Sequence, residues 1–216
     1  MNTESLVELK TAYPTTQRRP HPKRYRLTIG QYQAISRAGV FREDTHVELL
    51  GGILVRQMTK NPPHNFVVNE LGKRLYSLLS PDQVVYEEKS IVLAPRWQPE
   101  PDIAVLIGPK RRYEAVAPTA SDVVLVIEVS DSSYTTDRGI KWRKYAGARI
   151  STYWIVNLTK CQVEVYRQPS GNGIDAAYDS IEIFGINAAV PVIIGGQEVA
   201  RLNVVDLLPS AQVEEA

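Results

Sequence analysis

"VVLVIEVSDSS", residues 123–133, is an apolar run that carries one carboxylate near its end and then breaks into a small polar turn. Five of its first seven residues are β-branched, which is the composition of a strand buried on both faces. The reading of the fold turns on Glu128. An unpaired charge inside such a strand carries a desolvation penalty of several kcal/mol. Either a cation meets it, or the strand ends early and Glu128 stands in water.

The flanking segments supply candidates for that cation's other ligands. Upstream, "PDIAVLI" (101–107) reads as a strand that opens on Asp102. If the two strands are antiparallel neighbours, Leu106 opposite Val124 puts Asp102 opposite Glu128. Carboxylates facing each other across a pair have Cβ atoms ~5 Å apart and repel. One must take up a proton, or a cation must lie between them. Alternation places Asp102 on the face of Ala104 and Leu106, and Glu128 on the face of Val124 and Val126, so neither belongs to an evidently wet face. Glu48, in "HVELLGG", precedes a hairpin turn. Lys141 and Tyr145 are four apart on the helix that follows Glu128 and so share its face. Oxygen ligands with one ammonium and no histidine or cysteine cluster suit a hard cation such as magnesium or manganese, and do not suit structural zinc. Taken singly, each has an ordinary alternative: a solvated strand acid for Glu48, a surface lysine for Lys141, a turn or cap residue for Asp102. The joint pattern is what points to a site.

Around this centre the chain alternates helix and strand signals. Residues 1–26 are polar and proline-dotted and end in "QRRPHPKRYR", a flexible arm with basic residues at Arg18, Arg19, Lys23, Arg24 and Arg26. A single domain is expected over 27–208, with a polar tail at 209–216. "LTIGQYQAISRAGV" predicts a short amphipathic helix with Gly39 as its stop. "HVELLGGILVRQM" predicts a hairpin about Gly51-Gly52. "NPPHNFVVNELGKRLYSLLS" predicts a helix with an apolar stripe of Phe66, Val67, Leu71, Leu75, Leu78 and Leu79. "QVVYEEKSIVLA", "STYWIVNL" and "QVEVYRQ" predict strands, with weaker strand signals in "SIEIF" and "AVPVII". A helix is expected from about Thr136 to Ala146, stopped by Gly147. The order implies an α/β (α+β) single domain with helices around a mixed, largely antiparallel sheet.

Bulk properties narrow the class. A length of 216 residues, 44% hydrophobic and 23% charged, fits one soluble domain. The net charge of +1 gives no overall field to attract nucleic acid. One cysteine, Cys161, excludes an intrachain disulfide and cysteine-rich zinc sites. The opening "MNTESLVELK" lacks the pattern of a signal peptide, and no apolar run is long enough to span a bilayer, so a cytoplasmic protein without membrane contact is expected.

The stretches "VELLGGILV", "PPHNFVVNEL", "PEPDIAV" and "VLVIEVSDSSYTTDRGIKWRKYAGARISTYWIVNL" resemble the Uma-two family of restriction endonucleases, within the PD-(D/E)xK nuclease superfamily. The resemblance covers roughly residues 28–167. It implies a restriction-endonuclease-like core in which a central mixed sheet is flanked by helices. It carries Asp102 onto the PD aspartate, Glu128 onto the ExK glutamate, and Glu48 onto the acid of the first hairpin. The lysine expected two residues after the glutamate is Ser130 here, and Lys141 in "DRGIKWRKY" fits a lysine moved to the next helix. Lys141 with Tyr145 also takes the place of the superfamily's Q-x-x-x-Y motif.

The activity so implied is endonucleolytic hydrolysis of nucleic acid, DNA first. Asp102 and Glu128 would hold Mg2+ (or Mn2+) with the backbone carbonyl of Val129, and Glu48 would join directly or through water. Lys141 would orient the attacking water or contact the phosphate, Tyr145 would buttress Lys141, and His64 would help bind phosphate or cap its helix. A homodimer is expected, with the apolar "YWIV" and "VEVY" strands as its interface or else as core. Two other readings share the site: an inactive nucleic-acid-binding or scaffold protein, and a metal-dependent phosphohydrolase of nucleotides.

Overall fold

Strand β5 (Val123–Ser130) lies third in a six-stranded sheet of order β3-β4-β5-β6-β7-β8 in the computed structural model, which describes residues 24–42, 45–57, 59–210 and 212. Arg18, Arg19 and Lys23 of the basic arm fall outside the described residues. The other strands of this sheet are β3 (Gln83–Glu87), β4 (Ile103–Ile107), β6 (Thr152–Asn157), β7 (Gln162–Ser170) and β8 (Ala177–Gly185). All neighbours are antiparallel except β5 and β6, which are parallel. A parallel pair needs a crossover, and the helical segment after β5 supplies it.

The β4–β5 register differs from the expected one at one residue. Ile103 pairs with Ile127 and Val105 with Leu125, but Leu106 pairs with Val123 rather than Val124. Val124 is the extra residue of a bulge, and its carbonyl accepts the Ser151 hydroxyl at 2.9 Å. The bulge lies at the far end from the carboxylates, so Asp102, just before β4, still stands beside Glu128.

The two sheet faces are covered differently. On one, α2 (Pro62–Leu78) and the hairpin β9 (Ala189–Ile194)–β10 (Gln197–Asn203) cover Ile103, Val105, Leu125, Ile127, Val129, Trp154 and Val156. Helix α2 starts where Asn61 accepts the His64 N–H at 3.1 Å and proline fills the first turn. Val67, Leu71 and Leu75 are fully buried; truncating either leucine to alanine would cost ~2–5 kcal/mol. Phe66, expected in the stripe, is exposed, because the buried face runs through His64, Val67, Val68, Leu71 and Leu75 and Phe66 lies off its edge.

The opposite face carries Ala104, Val126, Tyr153, Ile155, Tyr166 and Tyr178 beneath a helical run from 134 to 147. This run is not one regular helix. It comprises α3 (Tyr134–Thr136), a π-helical turn (Asp137–Lys141) and α4 (Trp142–Gly147). Gly147 is inside the helix, not its stop; a Cβ there would come 3.2 Å from the Ala176 Cβ, and the left-handed residue is Arg149 at φ 64°.

The first hairpin is as expected, β1 (Val47–Leu50) and β2 (Ile53–Arg56), turning through Gly51 and Gly52 at φ 60° and 81°. Arg26 donates to the Gly51 carbonyl and Leu27 to that of Gly52, so the chain before α1 (Ile29–Arg37) is fastened to this turn. A Cβ on Gly52 would lie 2.7 Å from the Arg26 Cβ. The hairpin docks on the sheet side through reciprocal bonds between Leu49 and Gln98. The "YWIV" strand is wholly buried and Tyr166 nearly so, which removes them as a dimer interface and leaves them as core. No helix among the described residues is long and apolar enough to cross a membrane.

Candidate active site

Glu128, Asp102, Glu48 and Lys141 all line one cavity of about 220 Å³ at the carboxyl end of β5. Each arrives on a different element. Glu128 comes from β5, Asp102 from the residue before β4, Glu48 from β1, and Lys141 from the end of the π-helical turn. All four are buried, although three of them are acids.

Asp102 is held by three donors. Its Oδ2 accepts the Val129 N–H at 2.8 Å and lies 3.2 Å from His64 Nε2, while its Oδ1 lies 2.8 Å from Lys60 Nζ. Burial pushes its carboxyl up, but the His64 hydrogen bond and the Lys60 ammonium outweigh it and hold the carboxyl down to about 2. The Val129 contribution here is thus its N–H on Asp102, and the residue lines the cavity.

Glu128 is in the opposite state. Its Oε1 accepts Lys141 Nζ at 3.1 Å and the Tyr145 hydroxyl at 2.7 Å. Burial raises this carboxyl to about 8, because the relief given by Lys141 is opposed by Asp137, Asp102 and Glu48. Tyr145 therefore supports Glu128 directly, rather than Lys141 as expected. Lys141 lies 3.8 Å from Glu48 Oε2 and 3.6 Å from Asp137 Oδ1. Burial alone would lower its ammonium, yet the surrounding carboxylates hold it above its ordinary value, so it stays charged. Glu48 accepts the Glu100 N–H at 3.2 Å, and burial raises its carboxyl.

Asp137, Glu100 and Lys60 are among the cavity residues that the sequence did not single out. Asp137 is 2% exposed and accepts the hydroxyls of Ser130 and Ser133. It stands four residues before Lys141, a spacing that could have revealed it. Ser130, at the position where the resemblance implies a lysine, donates its hydroxyl to Asp137 at 2.7 Å. Glu100, two residues before Asp102, lines the cavity with a carboxyl raised by burial. Lys60 lies between β2 and α2, where no periodicity marks it.

The donor set fits a hard divalent cation. The cavity is lined by Glu48, Glu100, Asp102, Glu128, Asp131 and Asp137 against Arg56, Lys60 and Lys141, and burial, reinforced by Asp137, Asp102 and Glu48, drives Glu128 toward its protonated form. All the acids offer oxygen, the ligand type that magnesium and manganese select. As the side chains lie, no group of three His, Cys, Asp or Glu among the described residues is arranged around a metal position. Lys141 sits among Glu48, Glu128 and Asp137, and Lys60 sits on Asp102.

Comparison with known proteins bears on the fold and the family. A crystal structure described as a putative nuclease belonging to DUF820 from Anabaena variabilis ATCC 29413 superposes with a TM-score of 0.61 at 17% identity, over 84% of this chain and 97% of that one. At that identity the likeness establishes the shared fold. No curated relative matches the chain. The Uma2 family model, described as "Putative restriction endonuclease", matches residues 29–201. That span takes in the first hairpin, both carboxylate-bearing strands and the Lys141 helix, and the chain belongs to the Uma2 family.

Proposed function

We propose that this protein is a divalent-metal-dependent endonuclease that hydrolyses phosphodiester bonds of nucleic acid, with DNA as substrate. The observation that carries the reading is the convergence of Glu48, Asp102, Glu128 and Lys141, from four separate elements, on one cavity. Its family of restriction-endonuclease-like proteins supports the same reaction class.

Asp102 and Glu128 would hold Mg2+ or Mn2+, with Glu48 and the Val129 carbonyl as further oxygen donors. The ion would supply activation of water and neutralisation of phosphate charge. With the positive charge it brings, Glu128 no longer needs the proton that burial now favours. Lys141 stays an ammonium among carboxylates, so it is not the base; it donates hydrogen bonds to the attacking water or to a phosphate oxygen as negative charge develops. Tyr145 fixes Glu128 through its 2.7 Å bond. His64 orients Asp102 from the first turn of α2.

Cleavage of supercoiled plasmid DNA in Mg2+ tests the reading. The wild type should cut, and Asp102→Ala should not. The lysine-occupied carboxylates favour a second reading, a binding or scaffold protein on the same fold, and a wild type that binds DNA and metal without cutting would establish it instead.

A further inference from the structure

Both oxygens of Asp102 are engaged in this arrangement. Oδ2 is engaged by the Val129 N–H and His64, and Oδ1 by Lys60. No step in the proposed cleavage uses Lys60. Its Nζ has a second partner at the same distance, Glu88 Oε1 at 2.8 Å. The two acceptors differ in surroundings: the Glu88 side chain is 49% exposed and that of Asp102 is 7%. Glu88 is also held in place at a conformational cost. It is a non-glycine residue at φ 50°, in the left-handed region, and its N–H donates to the Asp102 carbonyl at 3.0 Å. The backbone thus fixes an alternative acceptor beside the buried one.

We propose that Lys60 is a displaceable cation that occupies Asp102 until a divalent ion arrives and then retires to Glu88. The inference rests on the metal reading above. A divalent ion and an ammonium repel each other at one carboxylate oxygen, and the ion, with twice the charge, prevails there. Glu88 keeps the displaced ammonium paired, so the exchange leaves no isolated charge behind. Lys60 and Glu88 both line the neighbouring cavity, together with Arg56, His46 and Glu100, so the ammonium can move to Glu88 without leaving a polar wall.

Titration of the full chain with Mn2+ alone, followed by the electron paramagnetic resonance of the free ion, tests this. Lys60→Met should tighten Mn2+ several-fold, a direction that loss of fold does not produce. Glu88→Gln, at an exposed position, should weaken Mn2+ several-fold, because the ammonium loses its alternative and stays on Asp102. In the Lys60→Met background the Glu88→Gln effect should largely vanish, since the two act through one ammonium. Unchanged or weaker Mn2+ binding in Lys60→Met, or an undiminished Glu88→Gln effect in that background, overturns the proposal. If wild-type binding is abolished by Asp102→Asn yet Lys60→Met does not tighten it, this inference alone fails. If the wild type binds no Mn2+, or Asp102→Asn leaves binding intact, the metal reading fails and takes this inference with it.

Discussion

Glu128 and Glu164 stand in one row of the sheet, on either side of Ile155, and each is 3% exposed. Their surroundings are unlike. Glu164 accepts hydrogen bonds from the hydroxyls of Tyr134 and Tyr166 and from the amides of Asn157 and Gln162, with the Arg138 guanidinium 3.9 Å away. Its charge is satisfied by the protein's own donors. Glu128 has both its protein donors, Lys141 and Tyr145, on one oxygen, and it faces a cavity among Asp102, Asp137 and Glu48. The same residue type at the same depth has both oxygens met by protein donors in one place and only one oxygen met in the other. What separates a candidate site from a buried ion is whether the fold completes the shell around it.

The largest expected effects test that contrast directly. Lys141→Met should lower DNA cleavage by roughly 10²–10³-fold or more, the loss that follows removal of a donor acting in the transition state. Its affinity for Mg2+ should hold or rise, because a nearby positive charge is gone. Asp102→Asn should do the reverse, weakening the metal first and losing cleavage in consequence. Glu164→Gln should leave metal affinity and cleavage intact and cost ~1–3 kcal/mol of stability in urea denaturation, the range for disturbing a buried hydrogen-bonded group. Loss of metal binding in Glu164→Gln would dissolve the distinction between the two regions.

The pH dependence of metal-free stability sharpens it. The Glu128 carboxyl is raised from 4.5 to about 8 on folding, so between those values the folded protein holds a proton that the unfolded chain has released. Stability should therefore fall as pH rises through that window, by up to ~1.4 kcal/mol per pH unit. Asp102 works in the opposite sense: held down to about 2 from 3.8, it adds stability that is full above its unfolded value and lost as pH falls through its folded one. Urea denaturation from pH 5 to 8 should show the downward slope in wild type and in Glu164→Gln, and a flatter profile in Glu128→Gln.

The smallest effect lies at the edge of the Glu164 cluster. Arg138 stacks over Trp142 at 5.0 Å and Tyr166 at 4.9 Å, with its side chain 36% exposed. Arg138→Ala should lower stability by ~0.5–1 kcal/mol in a thermal melt, and Mn2+ affinity should not change.

Much of this site could be read from sequence because Glu128 and Asp102 interrupt apolar strands whose period and order fix their faces. The Val124 bulge could not be read, yet it left the pair adjacent because it lies at the other end of the ladder. Glu164 shows the limit. "QVEVYRQ" places an acid in an apolar strand much as "VVLVIEVS" does, and the sequence does not tell them apart. The difference lies in Tyr134, Asn157 and Tyr166, which reach Glu164 from three elements. Asp137 was within reach of the spacing argument, four residues before Lys141, whereas the π-helical turn that joins them has no local signature. Lys60 was hidden in an aperiodic segment, and only the folded chain brings it to Asp102.

Anomalous diffraction from a crystal soaked in Mn2+ separates Glu128 from Glu164 as the cation site. A peak should appear bound by the carboxylates of Asp102 and Glu128, with Lys60 drawn off to Glu88 and no peak beside Glu164. A soaked crystal with no peak between Asp102 and Glu128, or with its peak at Glu164, would contradict the metal reading.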